Sequence, residues 1–157
     1  KADILYYTDN YDGADVKLEK FKCIEPEIPQ SSIDKKKILA VNSDVTAWFK
    51  CYDLFTENMN KSLPPGKAIP SSVIDIMSRS EFARASSAMD KQYAIVGADG
   101  QKKAQSIRAK YDAWRSATEI AVVQAKKQLE ELARQNADKR ITTGESNELG
   151  RSGGRTR

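Results

Sequence analysis

The chain has 157 residues, 39% apolar and 31% charged, with a formal charge of +4, the size of a single domain. A mean hydropathy of -0.62 still permits a core. The longest apolar runs, such as Ala94-Ile95-Val96-Gly97-Ala98, fall far short of the ~20 residues that cross a membrane. Histidine is absent, which removes Ser-His-Asp and Cys-His nucleophile pairs, His-ligated metals and any imidazole base.

Residues 1–22 read as a β-hairpin or an extended arm. Asp3-Ile4-Leu5-Tyr6-Tyr7 is β-prone, Asp9-Asn10-Tyr11-Asp12-Gly13 is a turn cluster, and Val16, Leu18 and Phe21 partly alternate with charges. The segment is too small to bury Tyr6, Tyr7 and Tyr11 by itself, and exposed aromatic clusters mark interfaces. The first residue is Lys1 instead of Met, as expected of a processed N-terminus or a fragment.

Cys23-Ile24-Glu25-Pro26-Glu27-Ile28-Pro29 is extended, because proline fixes its own φ and biases the preceding residue away from helix. Ser31 or Ser32 then offers a helix cap, with Asp34 in the first turn. Ile38, Val41, Val45, Trp48, Tyr52, Phe55 and Met59 alternate steps of three and four, an apolar seam sustained over about three heptads. That helix stops before Pro64-Pro65-Gly66.

A second helix is expected from Ser71-Ser72, carrying Ile74, Met77, Phe82, Ala85 and Met89, and ending in a turn at Gly97-Ala98-Asp99-Gly100. The two glycines could instead be a weak spot in one long helix. A third helix follows over 101–138, seamed by Ala104, Ile107, Tyr111, Trp114, Thr118, Ala121, Ala125, Gln128 and Leu132. Its second half, Lys126 to Lys139, is mostly polar and is expected to project or to be covered by a partner. Residues 139–157 carry +3 of the net charge of +4 and much glycine, the composition of a tail disordered when alone.

The reading is therefore mostly α: an antiparallel three-helix bundle or a long helical hairpin. An arm spans 1–22, a helical domain 23–138 and a basic tail 139–157. Trp48, Tyr52, Phe55, Tyr111 and Trp114 lie on the seams and are expected as core anchors, an aromatic ligand pocket being the alternative.

The two cysteines are too few for a metal site without histidine. Cys51 lies nineteen residues along the helix from Ser32, about 28 Å. Cys23 precedes Ser32 by nine residues, about 30 Å when extended. The strap can therefore double back and bring the sulfurs level. A disulfide is favoured over two free thiols, and its loop would contribute on the order of 3 kcal/mol. It would imply an oxidising compartment, periplasmic or extracellular.

Cys23-x-x-Pro26-x-x-Pro29, Trp48-x-x-Cys51-Tyr52, Asn58-x-Asn60 and Leu63-Pro64-Pro65-Gly66 resemble motifs of small secreted two-cysteine helical proteins of proteobacteria. The resemblance implies an exported helical hairpin clipped by one disulfide, and supplies no catalytic residues.

Other patterns favour structure over chemistry. Asp9, Asp12 and Asp15 lack the ligand spacing of an EF-hand calcium loop. Gly97 to Lys103 lacks the full phosphate-loop pattern. Glu81, Glu119, Glu130 and Glu131 form no evident acid–base pair. Asn60-Lys61-Ser62 matches a glycosylation sequon, which matters only in a eukaryotic secretory pathway.

No enzyme activity and no cofactor or metal are expected. The leading expectation is a structural or interaction subunit of a secreted or envelope-associated assembly, bound to a protein partner or to its own copies. Tyr6, Tyr7, Arg151 and Arg155 are its candidate contacts. A carrier or chaperone using a helical groove is the alternative. Nucleic-acid or anionic-surface contact through the tail is a third reading.

Overall fold

The computed structural model describes the backbone of residues 1–149 and the side chains to Thr142. Two long helices dominate: α2 (Lys35–Lys61) and α4 (Arg79–Leu149). Ahead of them, α1 (Ala2–Leu5) runs into a π turn over Tyr6–Asn10, and a 3-10 turn follows at Leu18–Phe21. The short α3 (Ser71–Ile74) lies in the connection between the long helices. No helix among the described residues is long and apolar enough to cross a membrane.

The caps differ from those expected. Asp34 caps α2 by accepting from the Lys37 amide at 3.0 Å. Ser32 is used elsewhere: its hydroxyl accepts from the Trp114 indole N–H at 3.1 Å, while its amide donates to Thr118 Oγ1 at 3.1 Å. Helix α4 starts at a capping box. The Ser78 amide donates to Glu81 Oε2 at 2.7 Å, and the Glu81 amide to Ser78 Oγ at 3.2 Å.

The long helices pack antiparallel. Val41 and Val45 meet Trp114, Trp48 meets Ala104 and Ile107, and Phe55 meets Gly100. Trp48, Phe55 and Trp114 are almost fully buried, whereas Tyr52 and Tyr111 are half-buried at the seam edge. Trp48 stacks on Tyr52 and Tyr111 on Trp114, at centroid separations of 5.4 and 5.5 Å. Trp48, Phe55 and Trp114 fill the helix–helix interior, and Tyr52 and Tyr111 line its edge.

Two expectations need correction. The β-hairpin of residues 1–22 does not form: among the described residues there is no strand. Helical turns instead let Tyr11 and Val16 point together into a core with Phe55, Met89, Tyr93 and Val96. Gly13, at φ +69°, turns the chain there so closely that a Cβ would stand 3.2 Å from Val96.

The turn at Gly97–Gly100 is also absent: from Arg79 onward the second and third helices are one, while the expected start of the second at Ser71 stands apart as α3. Phe55 explains it: a Cβ on residue 100 would stand 2.6 Å from that ring. Glycine here is a seat for a neighbouring side chain, not a break. Helix α4 runs on through Lys139 as far as Leu149, and the remainder of the basic tail lies outside the described residues. Arg151 and Arg155 lie outside the described residues.

The disulfide Cys23–Cys51 is present, with Cα atoms 5.6 Å apart. It ties the proline strap to the middle of α2, closing a loop worth about 3.5 kcal/mol by chain entropy.

Trp48→Ala or Trp114→Ala is expected to cost roughly 3–5 kcal/mol of unfolding free energy, measured by denaturant titration. The two glycines should separate cleanly. At Gly97 an added Cβ meets only Met59 Cε at 3.8 Å, so Gly97→Ala should stabilise the helix by up to about 1 kcal/mol. Gly100→Ala should destabilise by about 1–3 kcal/mol. Equal effects at both sites would remove the account of Gly100 as the seat of Phe55.

Candidate protein-interaction surface

The mismatch in helix length creates the most unusual surface. Helix α2 has 27 residues and α4 has 71, about 40 and 106 Å. The cover on α4 from α2 and the strap ends at Thr118, which is buried beneath Ser32. Every described side chain from Lys126 to Thr142 is exposed. The helix from Lys126 to Leu149 is thus a rod about 36 Å long.

The rod and the turn of α4 that leads into it are amphipathic. The seam phase advances by one residue after Thr118, so that Val122, Ala125, Leu129 and Leu132 fall on one face, with Ala121 and Ala133 beside them. Val122, Leu129 and Leu132 are 40%, 69% and 55% exposed. Lys127, Glu131 and Arg134 occupy other faces, and Glu131 pairs within the helix with Arg134 at 3.3 Å. A helix stripe of this kind ordinarily packs on something.

The N-terminal segment is placed differently. Tyr11 is buried, Tyr7 is half-buried and Tyr6 is 38% exposed. Tyr6 and Tyr7 meet edge-on at 5.0 Å, and Tyr11 meets Tyr93 of α4 at 6.1 Å. The Tyr11 hydroxyl donates to Asp15 at 2.6 Å. Burial first, and then that acceptor, push its pKa well above the ordinary phenol value. The buried Tyr93 hydroxyl has no partner in hydrogen-bonding geometry. Tyr6 is thus the most accessible member of a cluster whose inner rings belong to the core, so residues 1–22 pack against the helices instead of extending from them.

Between this segment and α4 lies a cleft of about 590 Å³. Tyr11, Leu18, Ile95 and Val96 form its apolar part, and Asp12, Glu19, Asp99 and Lys103 are among its polar lining. Sequence reading missed it because its walls come from segments about eighty residues apart. Among the described residues no group of three or more Cys, Asp or Glu is arranged to hold a metal ion.

Two ion pairs pin the N-terminal region to α4. Arg84 Nη2 donates to both Asp9 oxygens at 2.6 and 2.9 Å, and Lys103 pairs with Glu25 of the strap. Hydrogen bonds from Thr8 and then Arg84 hold the Asp9 carboxyl below its usual range, and Lys103 does the same for Glu25.

Comparison with protein-family models, with curated proteins and with solved structures finds no match. The functional reading therefore rests on the surface itself.

The lowered carboxylate pKa values set a pH dependence. Each group binds its proton less readily folded than unfolded, so its stabilisation is complete above the ordinary carboxylate values of 3.8 and 4.5. It is lost as pH falls through the lowered folded values. Acidification should therefore loosen residues 1–25 before it unpairs α2 and α4. Hydrogen exchange, corrected for intrinsic rate, should show this as a small effect, and Arg84→Ala should raise exchange modestly over the exposed turns of residues 1–10 at neutral pH.

Proposed function

We propose that this protein is a non-enzymatic interaction subunit, whose disulfide-clipped body presents the rod of α4 to another helix. The carrying observation is the stripe of exposed Val122, Leu129 and Leu132, with half-buried Ala125 between them, on a helix continuous with a well-packed core. Anchoring matters because the first turn is the costly step in forming a helix. Here the packed half nucleates the rod, so docking costs little ordering of the backbone.

The periplasm or the cell exterior is the proposed setting. The Cys23–Cys51 disulfide supports it, since such bonds persist in oxidising compartments. The contacts proposed are the stripe first, and Tyr6 with the edge of Tyr7 second.

The double substitution Leu129→Asp with Leu132→Asp tests this reading. Neither side chain belongs to a core cluster, so the thermal midpoint of the body should hold within a few degrees. In protein isolated from its source, the unaltered chain should elute in an assembly larger than itself and the variant at its own mass. Identical elution of both, with the body intact, would remove the stripe from the function.

A further inference from the structure

The pattern on the rod identifies what it docks against. In heptad terms Val122, Leu129 and Asn136 occupy the a positions and Ala125 and Leu132 the d positions, with Lys139 at the next d position closing the seam. A β-branched residue at a, leucine at d and a single asparagine at a are the combination that specifies two parallel strands. We propose that the stripe is the seam of a parallel, in-register coiled coil with a second copy of this chain, aligned by Asn136. This rests on the reading of the rod as a docking surface and names its occupant.

Three physical comparisons favour that arrangement. In the parallel register every layer pairs a residue with itself, so Asn136 meets the Asn136 of the other copy. Two side-chain amides can then satisfy each other, one donating N–H to the other's carbonyl oxygen. The flanking e and g positions bring Gln128 against Ala133 and Ala121 against Lys126, with no like charges opposed there; the one like-charge layer is Lys139 against its own copy, just past Asn136, where the seam ends.

The antiparallel registers are worse. One sets Val122 opposite Leu132, but it brings Lys126 near its own copy and requires Thr118, which Ser32 and the strap already cover. The next sets Val122 opposite Lys139 and leaves the Asn136 amide facing Ala125, a desolvated polar group against a methyl. The parallel seam uses only positions from Val122 onward, beyond the reach of α2. It therefore begins where the intramolecular seam ends, and places both bodies at one end of the rod.

The seam is short. Residues 122–136 form a strip about 22 Å long and about 10 Å wide, below the ~1,200 Å² of a stable standard interface. The dimer is accordingly a weak one, populated at high concentration, and Asn136 gives up affinity for register.

Sedimentation of the full chain from about 10 to about 500 µM spans the weak-dimer range and should show mass rising from one copy toward two. Leu129→Asp should hold the monomer throughout, with an unchanged far-UV spectrum and thermal midpoint. Asn136→Leu should tighten association by ~10-fold or more. Ala125→Cys should form an intermolecular disulfide on mild oxidation, because d faces d only in the parallel register.

A monomer at every concentration, for the unaltered chain and for Asn136→Leu alike, overturns the second copy as occupant. It leaves the docking surface to the assembly test above, which reads a different partner. A dimer indifferent to Leu129→Asp, or one in which Ala125→Cys fails to cross-link, overturns the parallel seam.

Discussion

The ring of Phe55 stands where a side chain on residue 100 would be, and much of the molecule follows from that one approach. A ring this close needs a residue without Cβ, and needs it on the seam of α4, between Val96 and Ala104. Once seated, Phe55 joins α2 to the cluster of Met89, Tyr93 and Val96 that also receives Tyr11 and Val16. The same contact sets the level at which α2 lies along α4. Upstream on α2, Trp48 then meets Ile107, and Val41 and Val45 meet Trp114.

Because Gly100 is spent on a neighbour and not on a turn, α4 passes through it unbroken. The helix is then far longer than α2 can cover, and the surplus becomes the rod. A turn at that point would have folded the far half back toward the body. The proposed function is thus linked to a packing detail some 20 residues away: the notch that holds Phe55 keeps the rod outside.

The body closes its own loose ends by separate means. The disulfide holds the strap to α2, and Lys103 holds Glu25 of that strap to α4. Ser32 bonds the Trp114 indole and Thr118 at the upper end of the shared seam. Asp9 and Arg84 hold the first turns. Exposed ion pairs contribute little individually, so their part is to position, while the buried aromatics carry the stability. A rod joined to a body secured in this way is presented in a fixed direction instead of trailing from it.

The sequence by itself determined α2, because Ile38 to Met59 keep a strict three-four spacing that only a helix places on one face. It also brought Cys23 level with Cys51, since helix rise and extended-chain length are fixed quantities. The exposed polar half of α4 was legible from the same periodicity. Tertiary structure alone decided the rest. The apolar phase of Met89, Tyr93, Val96, Ala104 and Ile107 runs through Gly100 without a break, yet local propensity favoured a turn; only the approach of Phe55 shows why glycine is there. The first twenty-two residues alternate like a strand but coil into turns, because what they pack against is the side of a helix offering no strand edge to pair with. The cleft beside Tyr11 had no sequence signal at all, since its two walls are adjacent only after the chain has folded back on itself.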